Sequence, residues 1–207
     1  MGHCELRKYV SLLGGFLLLC SLVYAQQSAP ATDATNEAGK TEIDGRATPY
    51  MIRRLPVSSF PELPGPIATY LSQTGCLIPQ TYQAHRPENV IHASLERPGS
   101  WDWAVLCSKD GTVSLLAFIT GSHAAFWTVA SAPEVLRMQV HDASGIAGFD
   151  WGIDAATPEQ VRQAQAGMAN RPPPVNHDAL MDTIIDHRTV YHFYSKGRWD
   201  VLDMPDN

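Results

Sequence analysis

The stretch Leu95–Thr120, LERPGSWDWAVLCSKDGTVSLLAFIT, constrains the fold more than any other part of the chain. Trp101, Trp103, Val105 and Cys107 alternate along one face of a predicted strand, and Ala104 and Leu106 occupy the other. A strand that is apolar on both faces has to be covered on both. Asp110-Gly111 supplies two residues tolerant of positive φ, so Thr112–Thr120 is predicted to return as the second arm of a hairpin. The face shared with Cys107 directs Trp101 and Trp103 toward a core.

Cys107 has one natural partner. Cys4 and Cys20 fall within Met1–Ala25, which has the features of an export signal: Arg7 and Lys8, the apolar run Tyr9–Val23, then the small-residue cut site ending at Ala25. The run is short for a membrane span, so no stable span is expected after cleavage. Cys76 and Cys107 remain, and in an oxidising compartment an even pair reads as a disulfide, the alternative being two buried thiols. The expected location is secreted or periplasmic.

Residues 26–49 are rich in Ala, Thr, Ser, Gln and acidic side chains without a sustained apolar period, which predicts a disordered tether. Residues 50–206 are expected to form a single domain. A short helix is predicted over Pro64–Thr74, with Pro66 in its first turn and Gly75 as its left-handed stop. A second opens at Thr157, where Pro158 and Gln160 complete a capping-box spacing. Strands are predicted at Asn89–Leu95, Glu134–Val140, Ala179–Asp186, Thr189–Ser195 and Arg198–Asp203. Ile146–Ile153 reads as a buried crossing segment, and Ala124–Val129 fits either a strand or a turn. The expected fold is α+β, an antiparallel sheet built from two related hairpins and covered by two short helices.

The two hairpins come into register when Asp102 is set on Asp182. Gly99-Ser100-Trp101-Asp102 leads into Trp103–Cys107, and Ala179-Leu180-Met181-Asp182 leads into Thr183-Ile184-Ile185. This layout resembles the FG-GAP/VCBS type of extracellular β-repeat, in which an acidic loop and Gly-x-x-Asp precede a strand, a turn and a return strand. The resemblance covers two short patches and implies the hairpin geometry, with Asp102 and Asp182 bracing their loops. It also implies a calcium site, for which Asn176, Asp178 and Asp182 offer oxygen ligands. Pro98, Pro174 and Ala179 depart from the pattern.

Chemistry is sparse elsewhere. A formal charge of −6, more negative once the signal is lost, argues against a general grip on nucleic acid. There is no Gly-x-Ser-x-Gly elbow, phosphate-binding glycine loop or His-Glu-x-x-His. His141-Asp142 and His177-Asp178 are adjacent pairs, which a strand would point in opposite directions. Trp101, Trp103, Phe126, Trp127, Phe149, Trp151 and Trp199 suit protein or glycan recognition where exposed and a core where buried. The expected function is an exported, non-catalytic binding module for a protein or glycan ligand, without a bound cofactor unless calcium. The alternative is a small secreted hydrolase with a site assembled across the fold.

Overall fold

A computed structural model describes residues 35–119, 126–168, 171 and 174–203. The expected export signal, the start of the expected tether and Met204–Asn207 lie outside them. The described residues form two antiparallel-rich sheets. The larger contains β1 (Thr35–Ile43), β2 (Arg46–Pro56), β3 (Leu77–Gln80), β4 (Val90–Ala93), β5 (Asp102–Lys109), β6 (Thr112–Phe118), β7 (Phe126–Pro133), β8 (Met138–Val140) and β9 (Ala147–Phe149). Its order is β7-β6-β5-β3-β2-β9-β8, with β4 beside β5 and β1 beside β2. The smaller is a meander of β10 (Trp151–Ala156), β11 (Ala179–Ile184), β12 (Arg188–Ser195) and β13 (Arg198–Asp203).

The expected α+β class does not hold. Strands take 52% of the described residues and helical turns 16%, so the fold is β-rich. The two hairpins do not share one sheet: β5–β6 lies in the larger and β11–β12 in the smaller. They face each other because each has an apolar side to bury. Ala104, Leu106, Val113, Leu115 and Ala117 from the first meet Leu180 from the second, together with Ile52, Phe149 and Trp151. The odd residues of β5 point the other way: Trp103, Val105 and Cys107 pack with Leu55, Phe60, Leu71 and Ile78 beneath helix α1 (Gly65–Gln73). The central, doubly covered strand expected from the sequence is therefore present, and Cys76 and Cys107 are joined, their Cα atoms 5.4 Å apart. Helix α2 (Pro158–Ala164) covers the outer face of the smaller sheet through Val161, which packs with Phe193 and Leu202. Its Thr157–Gln160 capping box is fully formed.

Three strands precede the first expected one. Thr35–Ile43, inside the stretch expected to be a tether, pairs along β2 from Thr35↔Arg54 to Ile43↔Arg46. Its order comes from partners rather than from an apolar face. Arg54 donates to Glu37 at 2.7 Å and Tyr50 donates to the same carboxylate at 2.7 Å. Arg54 also holds buried Glu134 through Nε at 3.1 Å and Nη2 at 2.5 Å, and Ser108 Oγ donates to that carboxylate at 2.7 Å. One guanidinium thus ties β1, β2, β5 and the turn before β8.

Two side chains join the sheets, Asn89 buried and Asp178 partly buried. Asn89, at φ 69°, donates to the Pro79 and Trp151 carbonyls and accepts from Ile153 N. Asp178 accepts from Ser94 N at 3.0 Å while its own N–H donates to Ser94 O at 2.9 Å.

Candidate functional site

Each edge of β2 is used differently. One pairs with β1 along its length, and the other is shared by β3 at Arg53–Pro56 and β9 at Tyr50–Met51. Alternation puts Met51, Arg53 and Leu55 on the face away from the smaller sheet. Leu55 is covered by the α1 layer, whereas Met51 is 56% exposed. Beyond the helix the outer sheet face is therefore open, and a groove of about 570 Å³ forms there. Its lining includes Asn36, Met51, Arg53, Tyr82, His141 and Asp142. That size lies within the range of small-molecule sites.

Tyr82 is the fixed part of this groove. Its backbone N–H donates to Phe149 O at 2.8 Å. Its ring stacks on His141 with centroids 3.3 Å apart and planes 7° from parallel. Its hydroxyl donates to Asp186 at 3.3 Å and accepts from Gln83 at 2.6 Å. The chain approaches β9 so closely that a Cβ on Gly148 would lie 2.6 Å from the Tyr82 Cβ. Glycine at 148 is what lets the tyrosine lie there. The ring still exposes surface, the residue being 37% accessible.

His141 begins the loop that walls the groove. Burial pushes its imidazole below the usual range, against the opposing pull of Asp186 and Asp142, so it is neutral at pH 7. Asp142 accepts from Ser144 N at 2.8 Å and Ile146 N donates to Ser144 Oγ at 3.2 Å, which braces the loop. Ser144 holds Asp142 below the ordinary carboxylate range. Arg53, half-buried in the groove, forms no salt bridge or side-chain hydrogen bond among the described residues. The arrangement offers a fixed aromatic surface, a guanidinium without a counter-charge and a braced polar rim. Among the described residues no hydroxyl or thiol is hydrogen-bonded to an imidazole.

The residues singled out in the sequence lie elsewhere. Asp178 bonds Ser94, Asp182 is buried with Oδ2 2.9 Å from His192 Nε2, and Asn176 is exposed in the bend before β11. A cation at Asp178 and Asp182 would have to displace those partners. Among the described residues no group of three or more His, Cys, Asp or Glu is placed to hold a metal ion. Asp102 does brace its loop: its Oδ2 accepts from Leu95 N and Glu96 N, each at 2.9 Å, and from the Ser100 hydroxyl. Asp182 braces a strand pair instead. Trp103 is in the core as expected, but Trp101 is 66% exposed and leans on His92 with centroids 4.0 Å apart. The Asp102-braced turn ends at Trp101, outside the sheet, so strand parity does not govern it.

Tyr82, Arg53 and Gly148 carry no signal in the sequence. Tyr82 falls in the irregular stretch between Pro79 and Pro87, and Gly148 is one small residue among several. No helix among the described residues is long and apolar enough to cross a membrane. No family model, curated protein or solved structure matches this chain.

Proposed function

We propose that this protein is a non-catalytic extracytoplasmic binding module that holds a saccharide in the groove beside Tyr82. The observation that carries this reading is the immobilised tyrosine. Its backbone bond, its stack on His141 and its two hydroxyl partners fix the ring before any ligand arrives. A ring held in place loses little freedom on binding, and its apolar surface suits the C–H face of a sugar. The polar rim at Asp142 and Ser144 supplies partners for hydroxyl groups. The groove is concave and of small-ligand size, which favours a glycan over a protein surface. The Cys76–Cys107 disulfide supports an oxidising location, secreted or periplasmic.

Calorimetry of the folded protein against a panel of mono- and disaccharides tests this reading. Binding in the micromolar to millimolar range is expected, lost in Tyr82→Ala with the thermal transition nearly unchanged. A Tyr82→Ala protein that binds as well as the parent would sink the reading. So would hydrolytic turnover of an ester, peptide or glycoside substrate that disappears in His141→Ala, which would establish the hydrolase instead.

A further inference from the structure

We infer that the groove selects an acidic sugar, a pyranose carrying one carboxylate, with Arg53 as the residue that reads the charge. The inference rests on the saccharide reading above and adds the ligand's class. Among the described residues that line the groove Arg53 is the one lysine or arginine. It sits at Asn36↔Arg53 and Arg53↔Gln80 in the ladder, on the open outer face with Met51. Its neighbour Arg54, one position on and pointing to the other face, is saturated by Glu37 and Glu134. The contrast matters because a half-buried guanidinium has already lost part of its hydration, and a planar carboxylate restores it with two parallel hydrogen bonds.

The other charge in the groove is placed to permit this. Asp142 belongs to the loop after β8, and the sheet order β2-β9-β8 sets it two strands from Arg53. β8 ends at Val140, level with Tyr50 through Ala147, so the loop that carries Asp142 lies toward the other end of the groove from Arg53 along β2 as well as two strands across. Asp142 Oδ1 accepts from Ser144 N, and a carboxylate has further lone pairs with which to accept from a hydroxyl. Tyr82 lies over Gly148 of β9, between these strands. The groove therefore has a cation on one side, an aromatic surface in the middle and a hydroxyl acceptor on the other side. A neutral hexose uses the last two alone. A polyanion gains nothing beyond one pair and meets a chain of net charge −6.

Calorimetric titration with methyl β-D-glucuronide and with methyl β-D-glucoside tests the assignment. The glucuronide is expected to bind at least about tenfold tighter, the size of one charge-assisted pair. Arg53→Gln is expected to bring the glucuronide down to the level of the glucoside measured on the same variant, and Arg53→Lys to keep part of the preference. Because Arg53 has no side-chain partner among the described residues, both variants should fold, and an unchanged melting curve checks that. Equal affinity for the two glycosides, or a preference that survives Arg53→Gln, overturns the inference while leaving saccharide binding standing. Absence of binding to either glycoside and to the whole saccharide panel overturns both.

Discussion

Asp150 shows how one residue can oppose the fold that surrounds it. Its side chain is almost wholly inaccessible, and Oδ1 has no hydrogen-bond partner among the described residues. Burial raises its carboxyl above the ordinary range, against the opposing effects of Gln139, Arg137 and His187. Arg137 does not quench the charge directly, because its guanidinium lies 4.1 Å over the Trp151 ring. A carboxylate with a raised folded-state pKa helps stability below its unfolded value, near 3.9, and loses that contribution as pH rises through the folded value. Asp150→Asn removes the charge and keeps the shape. The variant should therefore melt about 2–4 °C above the parent at pH 7, on the order of 1 kcal/mol, with the gain vanishing below about pH 4. Thermal melts at both pH values decide it. A variant that melts lower at pH 7 would mean that Arg137 and His187 outweigh the burial.

At the scale of elements, the first strand is the informative case. Glu37 is held below the ordinary carboxylate range, first by the Tyr50 hydroxyl and then by Arg54. A depressed pKa gives stability that is present above the unfolded value, near 4.3, and lost as pH falls through the folded one. Glu37 is half exposed, so the global effect is small. Glu37→Gln is expected to speed amide exchange along Thr35–Ile43 and to leave β5 unaffected, whereas Glu134→Gln should cost about 3 kcal/mol by leaving Arg54 half paired inside the sheet. Hydrogen exchange with chemical denaturation separates the two; equal exchange in β1 after Glu37→Gln would mean that the ladder alone holds it. The same strand explains what the sequence conceals. Among the described residues three hairpin turns put two successive residues at positive φ: Asp44-Gly45, Asp110-Gly111 and Lys196-Gly197. The last two are legible because apolar runs flank them. Asp44-Gly45 is equally good turn chemistry, but its arms carry Thr, Glu, Arg and Pro, and their order depends on charges brought from residues 54 and 134. An apolar period finds strands that bury a face and misses strands held by ion pairs. The hairpins, both helices, their caps and the disulfide are local or compositional, so they are readable. Which sheet a hairpin joins, and where a sheet face stays open, depends on contacts between distant segments. The groove is built from such contacts, Tyr82 over Gly148 and His141 against Tyr82, so neither period nor motif marks it.

For the whole molecule the layers run α1, larger sheet, smaller sheet, α2, and the disulfide fastens only the first two. Closing a loop of 31 residues stabilises by about 3.5–4 kcal/mol on the chain-entropy account. Cys76 and Cys107 lie in the core beneath α1 with Leu71, Trp103 and Val105, a cluster distinct from the one between the sheets. The sheets are joined independently, by Asn89 to β10 and by Asp178 to Ser94. The groove draws on β1, β2, the end of β3, Tyr82, β9 and the 141–146 loop, of which β2 and β3 reach the α1 core through Leu55 and Ile78. The double variant Cys76→Ala, Cys107→Ala should then melt roughly 7–15 °C below the parent. At 15 °C, still folded, it should bind glucuronide with unchanged affinity, because the groove sits on sheet pairing that the disulfide does not hold. Exchange should rise first in α1 and last in β5, β10 and β11. Loss of binding in the folded double variant would show instead that α1 and the groove respond as one cooperative unit, with β2, which runs beneath both, as the element that couples them.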